Sequence, residues 1–426
     1  VTKLLTVEAS VQIDSVGDVQ TSPTDGAVAY VVGNAFTKGE GSKSPSAVSN
    51  IRLLRPGSDA PIDLTSGVDS NSCPRWSPDG SLLAFVSDRV KAGQRQIYLL
   101  SADGGEARQL TNVTGSIPSP RSLDPMKWMP DGSALTFQMI DPDDEAEKEA
   151  IEAGRDAIEY EAVPRFTRIW RVGLDGGEPK QISPDGIQIW EYAISPDGRS
   201  IAAVISDVPY EWDWYKCKLA VFDIGSSEVT VLADTSRQIA KPSWTPDGTG
   251  ITYITSHWSD RGSDAGDVML VPAIGGDSVT LTPGATVSFD RVHWIGDVPI
   301  ATANVGGGSG IAVLDLNGGE PEWAWESEAW LKGFSINQNG QISAVITDYE
   351  SLTSIFTGAF EDGTIALSVA VTPPLDFEPG AMRPISFPTH DGQTVGGYIV
   401  LPPGHKGDKP LPTVMLIHGG PVSAFR

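Results

Sequence analysis

Four residues near the end of the chain have the types that acyl-transfer chemistry uses: His418, Gly419, Gly420 and Pro421. They follow TVMLI at 413–417, an unbroken apolar run of the kind that makes a strand buried on both faces of a parallel sheet. A glycine turn after such a strand can offer a backbone N–H to an oxyanion, because no side chain intervenes. A tight strand-to-loop turn with no catalytic part stays open on these four residues alone. A second candidate lies in DPDDEAEKEAIEAGRDAIEYEA at 141–162. Glu159 or Glu161 could face a substrate there and hold a positive group. The competing expectation is a mostly solvated helix, since Ala150, Ile151, Ala157 and Ile158 recur at roughly helical spacing. Asp141, Asp143, Glu145 and Glu152 mimic a calcium loop, but Ala146 stands where that loop needs glycine. The five histidines (257, 293, 390, 405 and 418) show no metal-ligand spacing, so neither a metal nor a cofactor is expected. Gly306 to Gly310, GGGSG, lacks the Gly-x-Ser-x-Gly spacing of a nucleophile elbow. Without an activated serine and its base, the 426 residues alone are expected to be inactive.

The elements that would position these residues repeat along the chain. RWSPDGSLLAFVSDR at 75–89 reads as a tight turn feeding a short apolar strand. WMPDGSALTF, ISPDGRSIAA and WTPDGTGITY repeat the phrase, with weaker copies at SPTDGAVAYV, WIGDVPIATA and INQNGQISAV. The turns fall at Asp25, Asp79, Asp131, Asp197, Asp247, Asp297 and Asn339, roughly fifty residues apart. Leu83 and Phe85, Leu135 and Phe137, or Ile251 and Tyr253 alternate as in a strand with one buried face. A second strand and a glycine hairpin follow, as at Asp103-Gly104-Gly105. This grammar predicts an all-β, seven-bladed β-propeller over 19–375, after an N-terminal segment 1–18 with a short helix capped by Thr6. Trp76, Trp128, Trp244 and Trp294 sit three places before the turn aspartate, where packing between neighbouring blades is expected. Past Thr372 the pattern changes to a proline-rich linker. Two strands around Asp391-Gly392 and the 413–417 run then read as the start of another domain, 380–426.

Composition narrows the function classes. The formal net charge is −25, which repels nucleic-acid backbones. No apolar run approaches eighteen residues, so no membrane span is expected. Cys73 and Cys217 read as small buried residues. VTKLLTVEAS at the start shows no signal peptide, and it opens on valine, as in a processed or partial product. The expectation is a soluble protein, with the cytoplasm favoured over the periplasm.

The order of parts resembles the prolyl oligopeptidase family of serine peptidases, in its acylaminoacyl-peptidase and dipeptidyl-peptidase branches. The resemblance rests on the WSPDG-type repeats, the proline-rich linker, ISFPTHDGQTVGGYIVLPPG and PTVMLIHGGP. It implies a propeller followed by the first strands of an α/β-hydrolase domain, acting on short peptide substrates. It also implies that Gly420 lends its N–H to the oxyanion hole, with His418, Gly419 and Pro421 shaping the turn. Glu159 and Glu161 sit in an insertion comparable to one that holds the substrate amine in dipeptidyl relatives. The family's Ser, Asp and His would lie beyond Arg426, on a missing C-terminal hydrolase portion that is then a partner of this chain. A homo-oligomer is compatible. The alternatives are a non-catalytic propeller that binds proteins, and an esterase on the same sheet.

Overall fold

The computed structural model describes residues 5–37, 46–58, 60–118, 124–142, 144–157, 159–226, 228–257, 262, 265–374, 377–405, 409–417 and 419. Seven four-stranded antiparallel sheets follow one another, each a meander in chain order. They span 15–63, 71–109, 126–181, 188–233, 238–280, 288–327 and 330–371, and form blades 1 to 7 of a β-propeller. Blade 1 opens at Ser15, so its inner strand begins inside the segment expected to precede the propeller. The short helix is Val7–Val11, and the Thr6 hydroxyl accepts the Ala9 N–H at 3.1 Å.

The second strand of each blade is buried on both faces, not one. Leu83, Ala84, Phe85 and Val86 are all fully buried. Leu83 and Phe85 pack towards blade 1 with Ala29 and Ile51, whereas Ala84 and Val86 pack towards blade 3 with Leu135 and Phe137. The period of two was therefore read correctly, but both faces meet another blade. Burying these apolar surfaces is the main force that holds blade to blade.

The repeated phrase builds the same turn each time. Ser77 Oγ donates to Asp79 Oδ1 at 2.6 Å and accepts the Leu82 N–H at 2.9 Å. Gly80 takes a φ of 71°, and a side chain there would strike Thr24 of the previous turn. The aspartates of these turns sit below the usual carboxylate range, because neighbouring hydroxyls and amides donate to them. The tryptophans do bridge blades. The Nε1–H of Trp76 donates to Gln20 O, that of Trp128 to Arg75 O, and that of Trp244 to Ala193 O, at 3.0–3.2 Å. Trp294 reaches Ser243 Oγ at 3.2 Å.

Among the described residues the ring closes without exchanging a strand between its first and last blades. Side chains make the closure instead. Thr21 Oγ1 lies 2.6 Å from Ser343 Oγ, the Thr21 N–H donates to Ser335 Oγ at 2.9 Å, and Asn337 Nδ2 donates to Ser22 O at 2.8 Å. Val16, Val19 and Tyr30 pack beside them against Val345 and Ile355.

Past blade 7, Ala381–Pro388 and Thr394–Leu401 pair with each other and, among the described residues, with no other strand. Residues 413–417 form no strand, contrary to the sequence expectation. A strand needs a neighbour to satisfy its backbone, and among the described residues none lies alongside. Cys73 and Cys217 are buried and form no disulfide among the described residues, and burial pushes the Cys73 thiol upward. Among the described residues no helix is long and apolar enough to cross a membrane, and no group of three or more His, Cys, Asp or Glu could hold a metal ion.

Candidate functional site

The meander decides what shares a face. Turns between first and second strands, and between third and fourth, lie on one face of the ring. Turns between second and third strands lie on the other, with the connections between blades. All the Ser-Pro-Asp-Gly turns therefore crowd one face. The insertion of blade 3, the short helix Glu211–Trp214 of blade 4 and the exit from blade 7 share the opposite one. The terminal hairpin rests there too. Tyr398 donates its hydroxyl to Gly307 O at 2.7 Å and lies against Tyr349, with ring centres 5.7 Å apart. A side chain at Gly307 would collide with that hydroxyl. The topology thus places Glu159, Glu161 and the chain leading to 418–421 on one face.

Within the insertion, Asp144 caps the helix Glu145–Glu152 by accepting the Glu147 N–H at 3.0 Å. This helix ends before Ala157, at Gly154 with its φ of 95°. The base of the loop is pinned by Asp141, which takes the Phe166 N–H at 3.1 Å and Arg168 Nε at 2.8 Å. Glu161 adopts a φ of 61°, in the left-handed region that non-glycine residues seldom enter. Its Oε1 accepts the Trp212 indole N–H at 2.7 Å, and its carbonyl accepts the Tyr210 hydroxyl at 2.9 Å. Tyr160, 81% exposed, lies against Tyr210, which lies against Trp212. The hydrogen bond to Glu161, and then its charge, raise the Tyr160 phenol. Glu159 is exposed, with no hydrogen bond or ion pair among the described residues. The sequence analysis named both glutamates and missed their aromatic support. The signal was YEWDWY at 210–215, an aromatic run in a connection between strands.

Of the oxyanion candidates, Gly419 is described and exposed, and a side chain there would meet nothing within 4 Å. His418, Gly420 and Pro421 lie outside the described residues.

The central channel carries charges that the sequence analysis did not single out. Inner strands bulge where they line it, with breaks in register between Gly17 and Gln20, Ser72 and Arg75, Ala240 and Ser243, and Phe289 and Arg291. Arg75 of blade 2 holds Asp18 of blade 1 at 2.9 Å and Asp124, at the start of blade 3, at 2.8 Å. Lys127 reaches the other oxygen of Asp124 at 2.7 Å. Burial works to raise the Asp124 carboxyl, but Arg75 and then Lys127 outweigh it and hold it well below the usual range. Lys241 of blade 5 pairs with Asp290 of blade 6 at 2.6 Å, and its backbone N–H donates to Glu191 of blade 4 at 2.7 Å. A cavity of about 390 Å³ lies beside these groups.

No family model matches the chain. Over 211 residues it is 28% identical to the uncharacterized peptidase YuxL of Bacillus subtilis, which covers 46% of this chain and 30% of that protein. The acylaminoacyl peptidase of Pyrococcus horikoshii superposes on 94% of this chain with a TM-score of 0.66 and 17% identity. The β-propeller domain of the Trilobed protease from Pyrococcus furiosus, described as having an open velcro topology, superposes on 85% with a TM-score of 0.56 and 14% identity. The fold is that of the propeller of acylaminoacyl peptidases. The sequence resemblance to prolyl oligopeptidase-type chains agrees with it. This chain spans 59% of the Pyrococcus horikoshii peptidase and 97% of the Trilobed propeller domain. The absence of strand exchange between blades 1 and 7 matches the open topology named for the latter.

Proposed function

We propose that this chain is the propeller and the leading edge of the catalytic domain of a serine peptidase that hydrolyses short peptides through a Ser-His-Asp triad. The observation that carries the reading is the uncovered apolar tail. Val414, Met415, Leu416 and Ile417 are 74–82% exposed, and the hairpin before them joins no blade. Apolar chain this exposed is an aggregation hazard unless a further layer covers it. A catalytic sheet that adds 413–417 as an inner strand would do so. It would also set the His418–Pro421 turn at the strand end, with the Gly420 N–H facing the oxyanion and Gly419 leaving the approach open. The 426 residues hold no Gly-x-Ser-x-Gly elbow, so the nucleophile and its partners are assigned to sequence after this segment. The propeller would then cap the site and limit it to short or flexible chains. A purely protein-binding propeller leaves the tail without a use.

Glu159 and Glu161 are the groups proposed to hold a substrate amine on that face. Trp212 donates to one oxygen of Glu161 and the Tyr160 hydroxyl also bonds its carboxylate, so the group is held in place for an incoming amine. A charge-assisted bond contributes about 1.5–3 kcal/mol, so Glu161→Gln should raise KM for peptides with a free N-terminus roughly tenfold or more. N-acylated substrates should be unaffected.

The test of the main reading compares this chain with the product of the complete reading frame, using a fluorophosphonate probe and acyl-amino-acid and dipeptide anilides. The 426-residue chain should neither take the label nor exceed buffer, whereas the complete product should do both. Serine labelling of the 426-residue chain, or a complete product inert to probe and substrates, would contradict the proposal.

A further inference from the structure

We infer that the central channel of the propeller holds a receptor for the terminal carboxylate of a short peptide, with Arg291 as the receiving group. The cavity of about 390 Å³ runs along the inner strands of blades 3 to 6. Five ionisable groups of fixed charge line it: Asp124, Lys127, Glu191, Lys241 and Arg291. Four of them are engaged. Lys127 holds Asp124, Lys241 holds Asp290, and Glu191 accepts the Lys241 amide. Arg291 is exposed and lines the channel, and the described residues give its side chain no hydrogen bond or ion pair. With Asp290 counted beside Lys241 the cations and anions balance, and Arg291 is the lining cation that no carboxylate among the described residues holds at ion-pair distance. A cation walled by low-dielectric side chains focuses field on the channel mouth and draws an anion there.

The shape and the walls select among anions. A guanidinium presents a planar fork that matches a carboxylate through two parallel bonds. Trp128 supplies aromatic surface beside the cavity, with the edges of the mostly buried Trp190, Tyr192 and Trp244. His293, edge-on to Phe334 at 5.0 Å, is kept neutral by burial and by Arg291, so its ring can exchange hydrogen bonds without adding charge. The volume is at the small end of ligand pockets, which suits a peptide of two or three residues and its apolar last side chain. An inorganic anion would satisfy Arg291 but would leave the aromatic walls unused.

That the ligand is a peptide rests on the peptidase reading; the carboxylate site itself does not. The experiment is a titration of the full chain, read by tryptophan fluorescence and by calorimetry. The ligands are N-acetyl-Ala-Ala-Phe as free acid, the same peptide as C-terminal amide, and sodium phosphate. The proposal expects saturable binding of the acid, with the amide at least tenfold weaker and phosphate a poor competitor. Arg291→Gln should weaken the acid at least tenfold and Arg291→Lys should weaken it less. Arg199→Gln, an exposed control on the turn face, should change nothing. The Arg291 side chain makes no hydrogen bond or ion pair among the described residues and acts on Asp124 only through its charge, behind Arg75 and Lys127, so the melting temperature of Arg291→Gln should stay close to that of the parent. Equal affinity for acid and amide, unchanged binding by Arg291→Gln, or displacement of the peptide by equimolar phosphate would overturn it. Failure of serine labelling in the complete product would leave these results standing, so the two readings fail separately.

Discussion

Replacing Arg75 with Met would test how the ring is held around its channel. The guanidinium joins three blades through Asp18 at 2.9 Å, Asp124 at 2.8 Å and the Pro74 carbonyl at 2.7 Å. Its side chain is 16% exposed, and the two carboxylates are 27% and 26% exposed. Removing one partner of a buried pair costs about 3–5 kcal/mol, because the other charge is left desolvated. Lys127 still neutralises Asp124, so the lower end, about 3 kcal/mol, is expected. The pH dependence follows from the depressed Asp124 carboxyl. Such a group contributes stability above its unfolded value of about 3.9 and loses it as pH falls through the folded value. In Arg75→Met burial remains while the larger opposing charge is gone, so the folded value rises. The deficit should be full at neutral pH and shrink as pH falls below the raised folded value of the variant towards that of the parent. Urea unfolding followed by tryptophan fluorescence at pH 7.5 and pH 3.5 reads both effects. Arg199→Met serves as control, since its pair with Asp197 spans 4.0 Å with both groups mostly exposed and contributes about 0–1 kcal/mol. Stability of Arg75→Met within about 0.5 kcal/mol of the parent at pH 7.5 would refute the reasoning.

Two other variants probe contacts between blades. Trp244→Phe keeps an aromatic ring but loses the bond to Ala193 O, and should destabilise by about 1–3 kcal/mol in the same unfolding assay. Ser335→Ala combined with Asn337→Ala removes two hydrogen bonds across the seam between blades 1 and 7, those to the Thr21 amide and the Ser22 carbonyl. Amide exchange of Ser15–Thr21 should accelerate at least tenfold, while that of Gln238–Trp244, across the ring, stays as in the parent.

The propeller was legible because its turns are made of side chains that leave little choice. Ser77, Asp79 and Gly80 satisfy their own backbone locally, so their phrase recurs wherever the turn does. The tryptophans were legible for a related reason: each meets the same place on the preceding inner strand. The channel charges were harder to see. Asp124, Lys241 and Asp290 stand three or four places before a tryptophan, and the last two lie in strands whose register breaks at a bulge. A period-two reading cannot say which way a bulged residue points. Burial of Ala84 and Val86 was missed because small residues between large ones look like a solvent face until a second blade covers them. The TVMLI run at 413–417 was read for the strand its composition favours. In the described residues it has no neighbouring strand, and composition alone cannot supply one. The pairing of Glu161 with Trp212 joins two connections 51 residues apart, which only the ring brings together.

The most direct measurement is hydrogen exchange across residues 381–417, in this chain and in the product of the complete reading frame. The proposed peptidase requires fast exchange at 411–417 in the first, beside slow exchange in the second strands of the blades, and strong protection of 411–417 in the second. Equal exchange at 411–417 in the two proteins would mean that no catalytic sheet takes up this tail.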